Sequence, residues 1–332
     1  MAKSKLIVLL FVCIIFLVGC NSMFGGNTYP DHYPAGDNNE GEAIPGTDFK
    51  NEEIIKKLKL QNLSKERGVH SYPRWSPDGE KLALRYQENI WTIDLKKGKW
   101  NQLTWKGNIN TEPLSWGDNE QIYYVHYEDF SDGNLSLINL VEKTDKIVLE
   151  GLNMIYSISV NQQNPSQILL EIDSKYENVE EHYIHDFDKN SKERIPLNGF
   201  YSRFSHDGKS IVFKNSAGIQ IYDLANKKTR LILKGKMTRI SEDEKEFETT
   251  TQSLTWSPDG KWVAFRGGPS AEAQGIYIIP TDGSGQIDHI LNDGVAYLDW
   301  SPKGDKIAFT TIGSPGRTEL YVMDVPEKYR ME

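Results

Sequence analysis

Trp75-Ser76-Pro77-Asp78-Gly79, Trp256-Ser257-Pro258-Asp259-Gly260 and Trp300-Ser301-Pro302-Lys303-Gly304 repeat one motif, and Phe204-Ser205-His206-Asp207-Gly208 varies it. Pro presets φ for a tight turn, Asp can bond its own backbone, and Gly accepts the positive φ that closes a hairpin. An apolar run follows each copy, at residues 81–84, 211–213, 262–265 and 307–309, as a strand covered on both faces requires. Weaker copies begin at Trp116 and near Val160, so the six anchors are 41, 44, 44, 52 and 44 residues apart. A period in the forties with several short strands per unit predicts a β-propeller.

The rest of each unit supports that reading. Third strands are expected at 90–93, 135–138, 219–222, 276–279 and 320–323, and fourth strands at 103–104, 147–149 and 231–233. Only residues 325–332 follow the last third strand, too few for a fourth. Residues 54–63, ending Leu60-Gln61-Asn62-Leu63, carry a fourth-strand pattern and are expected to complete the last blade. The fold class is therefore all-β: a six-bladed propeller of four-stranded antiparallel blades over residues 52–332, closed by its N-terminal strand. Closure of that kind removes the open edge that would invite aggregation.

The Trp-Ser-Pro-Asp-Gly hairpin and third strands such as Leu320-Tyr321-Val322-Met323-Asp324 resemble the TolB-type, WD-like propeller repeat over roughly residues 54–325. The third unit departs from it, with Asn161-Gln162-Gln163-Asn164-Pro165 in place of the turn. The resemblance implies a fold more than a function. TolB-type propellers include partner-binding periplasmic proteins, and similar repeats form a domain of some serine peptidases and the body of some lyases. TolB itself carries a separate N-terminal domain, whereas nothing of that size is expected before the first blade here.

At the N-terminus, Lys3 and Lys5 precede an apolar run over residues 6–19 that ends Leu17-Val18-Gly19-Cys20. Fourteen residues suit a signal h-region; a membrane span needs about 20. The Leu-x-Gly-Cys ending resembles a bacterial lipobox, which implies a signal peptide at 1–19 and lipidation of Cys20. Residues 20–51, rich in Gly, Asn, Pro, Asp and Glu, are expected to form a disordered tether with a coil span of roughly 30 Å. The expected location is the extracytoplasmic face of a cell membrane, lipid-anchored, in a Gram-positive bacterium. Cys13 would leave with the signal, so the mature domain would hold no thiol and no disulfide. Two acyl chains hold a protein on a bilayer where one binds weakly.

Net charge is −9, and losing Lys3 and Lys5 leaves 36 basic against 47 acidic side chains. Such a balance argues against nucleic acid as a partner. No Gly-x-Ser-x-Gly elbow, Walker loop, His-Glu-x-x-His or Cys-x-x-Cys occurs, so neither catalysis, a metal nor a cofactor is expected. Asp186-Phe187-Asp188-Lys189-Asn190 begins like a calcium loop, but Ser191 and Leu197 stand where Gly and Glu belong, so a turn is expected. His182 and His185 would face opposite sides of a strand, which disfavours a shared metal. His70 and His126 read as solvated loop residues.

Binding is expected in one of two places. Long loops at 126–133, 236–252, 266–274 and 311–317 share one face of the ring, opposite the tight turns, and have room to vary. The residues before the six anchors, Arg74, Ser115, Ser159, Arg203, Thr255 and Asp299, are polar on the innermost strand and can ring the channel mouth. Arg74, Arg203 and Asp299 are the candidate binding residues there, although an ion pair between Arg74 and Asp299, on neighbouring blades, would make them structural. The expected role is a monomeric, non-catalytic scaffold for a protein or an envelope polymer. A glycan lyase or hydrolase, or a small-ligand sensor using the channel mouth, is the alternative.

Overall fold

The computed structural model describes residues 52–65, 68–105, 114–127, 133–173, 180–235, 253–268, 275–284, 286–291, 294–311 and 317–331. The signal segment, Cys20, the tether and the 236–252 link lie outside the described residues, as do most of the other long loops. Six four-stranded antiparallel sheets follow one another along the chain. Blade one comprises His70–Trp75, Lys81–Tyr86, Asn89–Asp94 and Lys99–Gln102. The inner strands of the next five are Leu114–Trp116, Ile155–Val160, Phe200–Phe204, Leu254–Trp256 and Val295–Trp300.

Blade six takes its outer strand from the other end of the chain. Gln61–Asn62 pairs antiparallel with Leu320–Asp324, Gln61 opposite Val322 and Asn62 opposite Tyr321. Around that short ladder, Leu63 N donates to Leu320 O at 2.8 Å and Leu320 N to Ser64 Oγ at 2.9 Å. The first half of the segment read as strand is instead part of a helix, Glu52–Leu58. Its sequence explains why: Glu52 and Glu53 sit at the positive end of the helix dipole and Lys56 and Lys57 at the negative end. Leu58 is buried with Val325, Tyr329 and Met323, so the helix also caps the closing blade.

Two further expectations shift. The fourth strand of blade one is Lys99–Gln102, not 103–104, because Thr104 turns its hydroxyl inward to accept Ile90 N at 2.9 Å. His70 and His126 are strand residues rather than solvated loop residues. His70 is fully buried, bonds through Nδ1 to Thr318 O at 2.7 Å and stacks on Tyr86, and burial holds it below the usual imidazole value. His126, on the second strand of blade two, lies 3.2 Å from Ser136 Oγ.

The repeat's serine locks the tight turn in blades one, four, five and six. Ser76 Oγ donates to Asp78 Oδ1 at 2.6 Å and accepts Lys81 N at 2.9 Å. Ser205 with Asp207 and Ser257 with Asp259 repeat both bonds, and Ser301 uses Asp305. Blade three lacks the motif but fills the turn with Asn161, whose carbonyl accepts Asn164 N and whose side chain accepts Gln163 N, both at 3.0 Å.

Candidate functional site

The tight turns are short, so they leave the ends of the inner strands uncovered. A cavity of about 110 Å³ lies there, and all six residues that precede the anchors line it: Arg74, Ser115, Ser159, Arg203, Thr255 and Asp299. Its rim is made by Pro77, His206, Pro258 and Pro302 from the turns themselves. The cavity thus lies on the face of the tight turns, opposite the long loops, because compact turns expose the axis that longer connections could cover.

Most of this ring is structural stitching between blades. Ser115 Oγ accepts Val160 N at 3.1 Å, Ser159 Oγ accepts Phe204 N at 3.1 Å, and Thr255 Oγ1 accepts Trp300 N at 3.2 Å. Asp299 Oδ2 accepts Trp75 N at 2.9 Å, carrying the same bond across the seam between the last and first blades. The repeat's indoles add a second row. Trp75 Nε1 donates to Asp299 O, Trp116 Nε1 to Arg74 O and Trp256 Nε1 to Arg203 O, at 3.1, 3.0 and 3.3 Å. A buried indole N–H needs such an acceptor, which is why Trp recurs at this place.

Arg74 and Arg203 cannot accept a hydrogen bond, so at their two junctions the side-chain stitch is given up. Arg203 Nη1 instead reaches past blade five to Asp299 Oδ1 at 2.9 Å and also donates to Leu254 O at 3.0 Å. Thr255 Oγ1 completes the carboxylate's shell at 3.3 Å. The ion pair is therefore Arg203–Asp299, with side chains 16% and 11% exposed, and not the neighbouring-blade pair Arg74–Asp299. Chain neighbourhood misleads here because Asp299 is already turned toward Trp75 N and the axis.

Arg74 is left with one hydrogen bond among the described residues, from Nη1 to its neighbour Pro73 O at 2.9 Å. Its Nε is buried and has no partner among the described residues. Burial, reinforced by Arg203, pushes its guanidinium down to about 9, against a smaller opposing pull from Asp299. With two arginines and one aspartate lining it, the cavity carries a formal excess of one positive charge.

Elsewhere, Asp186 closes the third strand of blade three, and the loop after it is a turn ending at Asn190 with φ 46°. His182 is fully buried beside Glu171, Nε2 to Oε2 at 3.5 Å, while His185 packs edge-on against Phe187. Glu171 also accepts Ser202 N at 3.0 Å and Ser202 Oγ at 3.1 Å, which ties blade three to blade four. No group of three or more metal-ligating side chains occurs among the described residues. No described helix is long and apolar enough to cross a membrane.

Known proteins match this architecture. Residues 48–134 match the family described as the dipeptidyl peptidase IV N-terminal region. Tol-Pal system protein TolB of Francisella tularensis subsp. holarctica (strain OSU18) is 24% identical over 269 residues, spanning 70% of this chain and 54% of that protein. The chain thus spans about half the length of the curated relative it matches. TolB from Acinetobacter baumannii superposes with a TM-score of 0.56 at 18% identity, covering 78% of this chain and 64% of that one. An oligogalacturonate lyase solved with manganese superposes at 0.55 with 13% identity, covering 81% and 94%. At these identities the solved structures speak for the fold alone. With the repeat, the six blades and the TolB matches in agreement, the chain is a six-bladed β-propeller similar to TolB.

Proposed function

We propose that this protein is a membrane-anchored, extracytoplasmic lipoprotein whose propeller is a non-catalytic docking platform for another protein. The observation that carries the reading is the rim of the channel mouth. Serine-locked turns hold Pro77, Pro258 and Pro302 around a recess, so a partner would meet a surface already ordered before contact. The one carboxylate in the recess, Asp299, is engaged by Arg203, Thr255 and the Trp75 amide, which suits a fixed scaffold better than an acid or base. The TolB relatives support a protein as partner, and the Lys3-to-Cys20 signal pattern supports the anchor.

Photo-crosslinking in intact cells tests both halves. A photoreactive residue replacing Lys303, exposed in a turn beside the rim, is expected to capture a defined protein. One replacing Lys146, exposed on the outer strand of blade two, is expected to capture none. Equal capture at the two positions, or none at either, would overturn docking at the rim. Cys20→Ala is expected to move the protein out of the membrane fraction; retention there would overturn the lipid anchor.

A further inference from the structure

We propose that the channel mouth is a binding site for a small oxyanion, a carboxylate or a phosphoryl group, held by Arg74 with the hydroxyls of Ser115 and Ser159. This does not depend on the docking reading, because it concerns the floor of the recess rather than its rim.

The argument begins with donors. Arg74, Ser115 and Ser159 come from three consecutive blades and line the same cavity. Ser115 Oγ and Ser159 Oγ each accept a backbone N–H from the next blade, and neither donates its own hydrogen to any described residue. Arg74 Nε makes no hydrogen bond among the described residues either. One side of the ring therefore offers a guanidinium and two hydroxyl hydrogens.

Acceptors are the scarce partner. Asp299 is the one carboxylate lining the cavity, and it already takes bonds from Arg203, Thr255 and Trp75. A cation would meet two arginines and a carboxylate already in use, whereas an anion would meet unused donors and an excess positive charge. Guanidinium and oxyanion also match as forked donor and paired acceptor. The cavity, about 110 Å³, admits a group of a few heavy atoms, which fits a single carboxylate or phosphoryl head.

Position 74 also breaks the rule of the ring. Ser115, Ser159, Thr255 and Asp299 each stitch to the next blade, and Arg203 is needed to neutralise Asp299. Arg74 does neither. A half-buried cation that gives up a structural bond without gaining a counter-ion is costly to the fold, and a bound anion would repay that cost.

The test is titration of the full-length chain with sodium acetate and, separately, sodium phosphate, at ionic strength held constant with chloride. Readouts are melting temperature and tryptophan fluorescence, since Trp75, Trp116, Trp256 and Trp300 border the cavity. A saturable response to acetate alone identifies a carboxylate, to phosphate alone a phosphoryl group, and to both a general oxyanion site. Arg74→Gln is expected to weaken that response at least about tenfold. Arg74→Lys, which keeps the charge and loses the fork, should retain part of it and so guards against a loss through misfolding. No saturable response to either anion above the chloride baseline, or an undiminished one in natively folded Arg74→Gln, would overturn the proposal.

Discussion

At the scale of single residues, the paired carboxylate and the unpaired arginine of the channel mouth should answer mutation with opposite signs. Arg203 and Asp299 neutralise each other, so Asp299→Asn leaves two arginines facing one another and is expected to cost about 3 kcal/mol, read as a lower unfolding midpoint in urea. Arg74 has no such partner, so without added anion Arg74→Gln is expected to raise stability by about 1–2 kcal/mol, a few degrees in Tm. Its pH dependence follows from the same lowered affinity for a proton. Burial, with Arg203 adding to it, holds the folded guanidinium down at about 9, well below its ordinary value, so above about 9 the unfolded chain binds more protons and wild-type stability rises with pH. The advantage of Arg74→Gln should therefore be constant near neutrality and shrink above about pH 9, as paired denaturant titrations would show.

Among the elements, the tight turn is the unit that makes each blade. Ser257→Ala removes the acceptor of Trp262 N and the partner of Asp259, and is expected to cost about 1–2 kcal/mol in chemical denaturation without loss of fold. This level was the most legible in the sequence, because turn chemistry is local: Pro, Asp and Gly state their φ preferences within five residues. The degenerate turn at Asn161 and the helix at Glu52–Leu58 were harder, since an amide can replace a serine and an apolar pair can serve helix or strand. The ring before the anchors was visible as a list of polar residues. Its partners were not, because each stitch joins residues about 45 positions apart and depends on how one blade is rotated against the next. The same reason hid the Arg203–Asp299 pair, 96 residues apart, and the burial of His70, whose partner Thr318 lies 248 residues away.

For the whole molecule, stability depends on a small seam. Deleting residues 52–65 removes the two-residue strand, the bonds of Leu63 and Ser64 and the buried Leu58, and is expected to cost about 3–5 kcal/mol. It would also bare the Leu320–Asp324 edge, so concentration-dependent association should appear in size-exclusion chromatography; a monomer with unchanged Tm would show that the seam is dispensable. That seam also sets a clock. Asn62 leaves the ribosome about 260 residues ahead of its partner Tyr321, a delay of roughly 10–50 s at ordinary rates of synthesis. Five blades can form while translation continues, but none of them can shut the ring, so closure waits until Leu320–Asp324 has emerged.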